Sequence, residues 1–278
     1  MWCSKIAKNL SELIPDGIMK EKIMFRYYKL TDIQFKIKIS KLKFKLKNNT
    51  MNFEYLAENF RIKINKKTYK FVRFIWFFIN DDFSRYLRYY VPREGDIVFD
   101  LGGYLGEFSF YLSHLVGNKG KVYCFEPNKS NYEFIEELIK INNIKNIILV
   151  KKGVSDIKGE MNFFGDDNFG NLMNIHSNKV TQKIDVIDLD SFIKENNIPK
   201  INYIKSDIES SEIEMLKGLK KSMTNKKIEN LAIASYHIRD NKRAYLICED
   251  ILRKYKNYET KTIFEEGGSP FVTYSKLK

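Results

Sequence analysis

The segment Asp100-Leu101-Gly102-Gly103-Tyr104-Leu105-Gly106 decides the fold of this chain. It follows the apolar run Ile97-Val98-Phe99 and opens a helical pattern, and a second apolar run at 122–125 ends in Glu126. Glycines let the backbone pass close to a ligand, the turn presents free N–H groups, and an acid at the next strand end accepts ribose hydroxyls. This order of strand, glycine turn, helix, strand and acid therefore predicts a nucleoside cofactor.

The glycine spacing distinguishes between nucleoside cofactors. A dinucleotide site needs G-x-G-x-x-G, and no frame through Gly102, Gly103 and Gly106 gives it. The observed D-x-G-x-x-x-G suits a cofactor without a pyrophosphate, and S-adenosylmethionine fits that description, with its ribose reaching Glu126. A strand-to-helix turn without any ligand uses the same glycines, so the acid carries more weight than the turn.

Six blocks of the chain follow one another in an order that resembles a known family. The blocks are Gly95-Asp96-Ile97-Val98-Phe99-Asp100, Val122-Tyr123-Cys124-Phe125-Glu126-Pro127-Asn128, Gly153-Val154-Ser155-Asp156, Ile187-Asp188-Leu189-Asp190-Ser191-Phe192, Ile204-Lys205-Ser206-Asp207-Ile208-Glu209 and Met215-Leu216-Lys217-Gly218. Together they resemble the FkbM family of S-adenosylmethionine-dependent methyltransferases, over about residues 80–278. Two positions depart from the family pattern: Tyr104 stands where the family usually has Asn, and Ser210 where it has Gly.

The resemblance implies an α/β fold, a Rossmann-like seven-stranded methyltransferase sheet with helices on both faces and the last strand antiparallel. The alternation of strand-like and helix-like segments after residue 80 favours the same class. The predicted strands are 97–101, 121–125, 146–150, 201–206, 229–236, 260–264 and 271–276. The predicted helices lie near 83–90, 106–116, 129–142, 188–197, 211–220 and 242–255.

The predicted cofactor site lies outside the carboxyl ends of the strands, where ligands of such sheets bind. Its residues are Asp100, Gly102, Gly103, Tyr104, Gly106, Glu126, Pro127, Val154 and Ser155. Asp100 is expected to hold the turn or the cofactor's amino group, and Val154 and Ser155 match the family segment that flanks the adenine. Glu126 has an alternative interpretation as a solvated acid before a helix start, where negative charge is favourable.

Asp207, Glu209 and His237 are the predicted catalytic residues. Side chains two apart in an extended chain point the same way, so both carboxylates are expected to face the crevice, Asp207 as the base and Glu209 as its orienting partner. His237 ends a predicted strand, and its imidazole titrates near neutrality. The alternatives are carboxylates that cap the helix near Ser211, a structural histidine, and a divalent cation between the carboxylates. We predict no metal.

The net charge of +13 is concentrated near the N-terminus, because residues 1–95 hold 21 Lys and Arg against 9 Asp and Glu. Apolar residues alternate with lysines up to Lys47, and a hairpin pattern follows at 60–64 and 69–72. The sequence therefore predicts a basic β-rich extension or cap at 1–80 and a methyltransferase domain at 81–278. The lysines either protect a sheet edge or attract an anionic partner, such as a membrane surface or a lipid-linked glycan.

Composition limits the compartment. The cysteines Cys3, Cys124 and Cys248 are odd in number and far apart, so neither a disulfide framework nor a zinc motif is indicated. No apolar run approaches the ~20 residues that span a bilayer, and the first residues lack the apolar core of a signal peptide. We expect a cytoplasmic protein, peripheral at the inner face of the membrane if its basic residues bind lipid.

The resemblance implies an O-methyltransferase that acts on a hydroxyl of a sugar, a glycan or a related small metabolite. Two other classes stay open. An RNA methyltransferase would use the basic N-terminal third to bind phosphates, and a non-enzymatic scaffold would dock on a membrane through its lysines. The sequence does not specify the acceptor, the hydroxyl that is methylated or the oligomeric state.

Overall fold

The structure is a computed structural model that describes four strands between residues 41 and 71, and residues 82–165, 170–172, 180–239, 242–264 and 270–278. The chain divides into two compact units, Met1–Asp81 and Asp82–Lys278. The alternating pattern before residue 41 lies outside the described residues.

The described part of the first unit is an antiparallel sheet. Its strands are β1 (Lys41–Leu46), β2 (Asn49–Leu56), β3 (Asn59–Ile64) and β4 (Lys67–Phe71). They pair in sequential order. Since β3 and β4 pair with Ile62 opposite Tyr69, they correspond to the hairpin pattern in the sequence.

The second unit contains the remaining described strands and helices. The strands are β5 (Ile97–Leu101), β6 (Lys121–Phe125), β7 (Ile147–Val150), β8 (Gly153–Val154), β9 (Gly159–Gly165), β10 (Gly170–Asn171), β11 (Val180–Ile187), β12 (Tyr203–Ser206), β13 (Asn230–Ala234), β14 (Ile238–Arg239), β15 (Lys242–Arg243), β16 (Tyr258–Phe264) and β17 (Pro270–Leu277). The helices are α1 (Asp82–Tyr86), α2 (Glu107–Val116), α3 (Lys129–Ile141), α4 (Leu189–Glu195), α5 (Glu212–Lys217), α6 (Lys220–Thr224) and α7 (Ala244–Leu252). None of the helices in this described part is long and apolar enough to cross a membrane.

Seven strands form the central sheet in the order β16-β17-β13-β12-β5-β6-β7. The strands from β13 to β7 are parallel to one another, and β17 is antiparallel to both β13 and β16. The predicted seven-stranded sheet is confirmed. Because β5 lies between β12 and β6, the carboxyl ends of these three strands meet at one edge.

Capping side chains fix where two helices begin. The Asn128 side chain accepts from the Ser130 N–H at 3.0 Å at the start of α3, and Asp188 accepts from the Ser191 N–H at 2.8 Å at the start of α4. The predicted helix at 211–220 is instead two short helices, α5 and α6. Gly218 ends α5, and a side chain there would meet the carbonyl oxygen of Ser155 at 2.5 Å.

Aromatic rings from the sheet and from α4 pack at the centre of the core. Phe192 lies with its ring centroid 4.9 Å from that of Phe125 and 5.8 Å from that of Phe99, and all three side chains are buried. Burial of aromatic surface on this scale is a main source of folding free energy. The Phe192 ring contacts one residue of β5 and one of β6, so this packing fixes the position of the glycine turn relative to Glu126.

A smaller sheet, in the order β10-β9-β11-β8, is a correction to the sequence prediction, which placed no strand between 150 and 201. Its long antiparallel pair is β9 with β11, and Phe163, Ile184 and Val186 form a separate buried cluster. The alternation of Ile184 and Val186 with polar residues was the available signal.

Candidate functional site

The glycine turn packs against the ends of both neighbouring strands. Gly102 and Gly103 donate their N–H groups to the carbonyl of Phe125 at 3.0 and 2.9 Å. Gly102 has φ +81°, and a side chain on it would overlap the carbonyl oxygen of Asp207. A side chain on Gly103 would overlap the sulfur of Cys124. These two glycines therefore make room for neighbouring protein atoms, and their contact with a cofactor stays a prediction.

Two later positions of the turn, Tyr104 and Gly106, also adopt the left-handed conformation. Tyr104 has φ +49°, where Asn is tolerated better than an aromatic residue, and Gly106 has φ +85° at the start of α2. The family's usual Asn at the Tyr104 position thus has a backbone explanation. Within this turn, the Tyr104 N–H points to the end of β6.

Glu126 receives that N–H group. Its Oε2 accepts from the Tyr104 N–H at 2.7 Å, and its Oε1 accepts from the Asn128 N–H at 2.9 Å and from the Asn131 side chain at 3.3 Å. The residue is 5% exposed, so its interpretation as a solvated acid is wrong. Burial raises the pKa of Glu126 to about 7, although the hydrogen bonds from Asn128, Tyr104 and Asn131 oppose that rise.

Asp100 is fully buried and bound to the protein. Its Oδ1 forms an ion pair with Lys205 Nζ at 3.1 Å, and its Oδ2 accepts from the Ser109 hydroxyl at 2.6 Å. Lys205 Nζ also donates to the carbonyl of Gly102 at 2.8 Å. Burial by itself lowers the pKa of Lys205, but Asp100 and Asp207 outweigh burial and raise it. Of the two expected roles of Asp100, this geometry fits the holding of the turn.

The remaining predicted cofactor residues have other neighbours. Pro127 is half-buried between Glu126 and the cap of α3. Val154 pairs with Ile187 and lies in the main core, and Ser155 donates its N–H to the Ile187 carbonyl at 3.1 Å. These contacts of Val154 and Ser155 are with β11, not with the glycine turn.

Asp207 follows β12, and its carboxylate accepts hydrogen bonds from two tyrosine hydroxyls. Its Oδ2 accepts from the Tyr86 hydroxyl at 2.9 Å, and its Oδ1 accepts from the Tyr236 hydroxyl at 3.2 Å. Burial raises the pKa of Tyr236, and the charge of Asp207 raises it further, so this phenol remains a donor at neutral pH. The carboxylate is thereby held at the sheet edge, beside the Gly102 turn.

Glu209 and His237 lie next to Asp207. One ligand atom from each of the three side chains lies within 4.8 Å of the others. The expectation of an extended chain is wrong, however, because Glu209 and Ser210 have φ +51° and +77° and form a left-handed turn. The left-handed turn, and not the two-residue repeat of a strand, therefore brings Glu209 close to Asp207. Strained backbone of this kind is typical of functional sites.

Glu212 completes the surroundings of His237. His237 Nε2 lies 3.4 Å from Glu209 Oε2, and Nδ1 lies 3.7 Å from Glu212 Oε2. Burial lowers the pKa of His237, but the acids Glu209, Glu212 and Asp207 outweigh it and raise the pKa. Burial raises the pKa of Glu212 to about 7, against the opposing effect of His237. At the start of α5, Glu212 Oε1 accepts from the Ile208 N–H at 3.0 Å.

A cavity of about 580 Å³ is connected to this group through Tyr236, and no side chain of the group lines it. Its lining residues are Arg85, Arg88, Ile263, Phe264, Phe271, Val272 and Tyr274. The Arg85 guanidinium lies 4.3 Å from the centroid of the Phe271 ring, and that ring stacks at 5.4 Å on Tyr236, which binds Asp207. The cavity therefore combines aromatic walls with two arginines, and the Phe271–Tyr236 stack connects it to Asp207.

Four residues of this region are absent from the sequence predictions. Lys205 had a signal, because a lysine in a buried strand needs an acid, and Asp100 is its partner in the β5–β12 register. Glu212 had a weaker signal as an acid three residues after Glu209. Tyr86 and Tyr236 had none, since Tyr86 lies 121 residues from the Asp207 that it binds.

Comparisons with known proteins find methyltransferases. The model of the methyltransferase FkbM domain matches residues 100–259, which is more than half of the chain. The hexuronic acid methyltransferase AglP of Haloferax volcanii is 26% identical over 148 residues, 52% of this chain and 57% of its own length. A crystal structure of methyltransferase FkbM from Methylobacillus flagellatus KT has a TM-score of 0.51 at 20% identity, covering 69% of this chain and 47% of that one. The chain thus spans about half the length of these two proteins.

Proposed function

The chain belongs to the FkbM methyltransferase family, as its motifs predicted, and on that premise we propose that it transfers a methyl group from S-adenosylmethionine to a hydroxyl of an acidic sugar. The observation that carries the proposal is the Glu126 carboxylate, buried at the end of β6 and directed at the Tyr104 N–H of the glycine turn. A nucleoside along this turn meets a carboxylate that accepts from its ribose hydroxyls.

The acceptor hydroxyl needs alignment and a proton acceptor. S-adenosylmethionine, when bound, supplies a methyl group that is already activated on a sulfonium. Asp207 lies within hydrogen-bonding distance of two phenol groups and beside Glu209 and His237, so this group accepts the hydroxyl proton as the oxygen attacks. Tyr86 and Tyr236 keep the Asp207 carboxylate oriented in the meantime.

The acidic character of the acceptor rests on the cavity that Phe271 and Tyr236 connect to Asp207. Arg85 and Arg88 both line this cavity, and guanidinium groups bind carboxylates in a paired geometry. Aromatic surfaces such as Phe271 suit the apolar face of a sugar ring. The AglP relative is named for a hexuronic acid, whose negative carboxylate would complement the positive charge of the two arginines in this cavity.

Cofactor binding is tested first. Calorimetric titration of the full chain with S-adenosylmethionine and S-adenosylhomocysteine should give one site, and Glu126→Ala should weaken it at least tenfold. The exposed Glu133, on helix α3, serves as control through Glu133→Ala, which should bind like the parent protein. No measurable binding of either nucleoside would overturn the proposed function.

Acceptor class is tested with methyl-labelled S-adenosylmethionine. Hexuronic acid glycosides should accept the label, and neutral hexosides should do so much more slowly. Arg88→Met should raise the KM for the acidic acceptor at least tenfold, whereas Arg253→Met, at an exposed pair with Glu249, should not. Label in RNA instead of sugar, with an affinity that falls steeply with salt, would assign the RNA methyltransferase alternative.

A further inference from the structure

The group of Asp207, Glu209 and His237 contains a buried histidine whose two ring nitrogens each lie near a carboxylate but form no hydrogen bond of ordinary geometry within the described residues. The His237 side chain is 5% exposed. Buried polar side chains without partners are rare in folded proteins and call for an explanation. Nε2 lies 3.4 Å from Glu209 Oε2, and one ligand atom each of His237, Glu209 and Asp207 lies within 4.8 Å of the others.

The electrostatic balance of this group points the same way. Three carboxylates, those of Asp207, Glu209 and Glu212, surround one imidazole. Two basic side chains of this region bind other groups: Lys205 pairs with Asp100, and Arg239 binds Glu214 at 3.1 Å and the Ser210 carbonyl at 2.8 Å. Clustered carboxylates in a partly buried site are stable only if protons or a cation neutralise them.

We propose that Asp207, Glu209 and His237 Nε2 bind a divalent first-row cation, with Mn²⁺ the best fit to two carboxylates and one imidazole. The sequence offered a cation here only as an alternative to a site without metal. Three ligand atoms that lie within 4.8 Å of one another are at most about 2.8 Å from a common centre, so shifts under about 1 Å reach the bond lengths that such metals require.

Glu212 has the position of a supporting residue for this site. Metal-binding histidines usually direct their second ring nitrogen at a carboxylate, which fixes the tautomer. Glu212 Oε2 lies 3.7 Å from Nδ1, while Glu212 Oε1 is held by the Ile208 N–H at 3.0 Å. Nδ1 is then the protonated nitrogen, and the lone pair of Nε2 faces the two acids.

The contribution of the cation to catalysis rests on the proposed function. A cation between Asp207 and Glu209 would lie next to the expected position of the acceptor hydroxyl. By binding the hydroxyl oxygen it would lower the pKa of the hydroxyl. Metal binding itself does not depend on that role, so it is measured without acceptor or methyl donor.

The test is calorimetric titration of the EDTA-treated full chain with MnCl₂ alone, with electron paramagnetic resonance as a second readout of bound Mn²⁺. We expect one site and a rise in Tm of about 5 °C or more at a hundredfold excess over Kd. Glu209→Gln and His237→Gln should each weaken binding at least tenfold. Glu195→Gln, at an exposed pair with Lys158, is the control and should bind like the parent protein.

The outcomes separate the two proposals. Absence of binding at millimolar Mn²⁺, or variants that bind as well as the parent protein, would overturn the metal site. A Tm measured in EDTA checks that each variant is folded, and Glu212→Gln offers a second, milder variant whose affinity should fall less. S-adenosylhomocysteine is titrated into the same metal-free samples: if it binds and Mn²⁺ does not, only the metal proposal fails, and the reverse result removes the proposed function alone.

Discussion

Asp100 and Lys205 lie opposite each other on the neighbouring strands β5 and β12, and their side chains form a 3.1 Å ion pair that solvent does not reach. Lys205 reaches past the acid to the Gly102 carbonyl at 2.8 Å. One buried lysine thus connects the acid before the glycine turn with the turn itself.

Removal of this lysine should leave a buried charge without a partner. We expect Lys205→Met to lower the free energy of unfolding by about 3–5 kcal/mol in a urea titration. Lys200→Met, which removes an exposed pair with Glu229, should cost less than about 1 kcal/mol. Adding Asp100→Asn to Lys205→Met should recover part of the loss, and equal losses for Lys205 and Lys200 would contradict the assignment.

Alanine substitutions at Gly102 and Gly95 test how much the close contact between the glycine turn and the Asp207 backbone costs when a side chain is added. Both have positive φ, +81° and +92°, but a Cβ at Gly95 meets nothing within 4 Å whereas one at Gly102 overlaps the Asp207 carbonyl. Gly95→Ala should cost about 1–2 kcal/mol of unfolding free energy, and Gly102→Ala about 3 kcal/mol or more. Similar values for the two variants would show that the contact is easily relieved.

Ser210 is expected to be a position of stored backbone strain. It has φ +77°, and its buried hydroxyl has no hydrogen-bond partner within the described residues. Ser210→Gly should therefore raise the unfolding free energy by about 1 kcal/mol. Ser222→Gly, inside helix α6, should lower it by a similar amount. A loss at both positions would argue against strain at Ser210.

Cofactor affinity should depend on pH through Glu126. Its pKa of about 7 lies above the ordinary value of 4.5, so in the free protein the carboxyl is protonated below pH 7 and must lose a proton before it accepts ribose hydroxyls. The affinity for S-adenosylhomocysteine should fall by up to about tenfold per pH unit below pH 7 and level off above it. Calorimetry from pH 5.5 to 8 measures this, and Glu126→Gln should be weaker but flat over the range.

Asp207→Asn should separate turnover from cofactor binding. The amide keeps the size of the side chain but does not accept a proton, so we expect kcat to fall about a hundredfold or more. The Kd for S-adenosylhomocysteine should change by less than about threefold, because no ribose contact is lost. Asp185→Asn, at an exposed position of β11, is the control. A kcat that stays within a factor of two would exclude Asp207 from the reaction.

The central sheet could be predicted because its strands are buried apolar runs bounded by glycines and acids, as at 97–101 and 121–125. The smaller sheet was missed, because the alternation of apolar and polar residues that indicates β11 is short. Asp207, Glu209 and His237 were predicted together, and the structure brings them together. Tyr86 was missed because its contact with Asp207 follows from the packing of α1 and not from any local pattern.

The close approach of Asp207 to Gly102 has a practical consequence for protein engineering. The loop after β5, which contains the glycine turn, packs directly against the loop after β12, which contains Asp207 and Glu209. A chimera that imports only one of these loops from a relative will place two foreign backbones against each other. Successful transfer of acceptor preference should accordingly require both segments to come from the same parent.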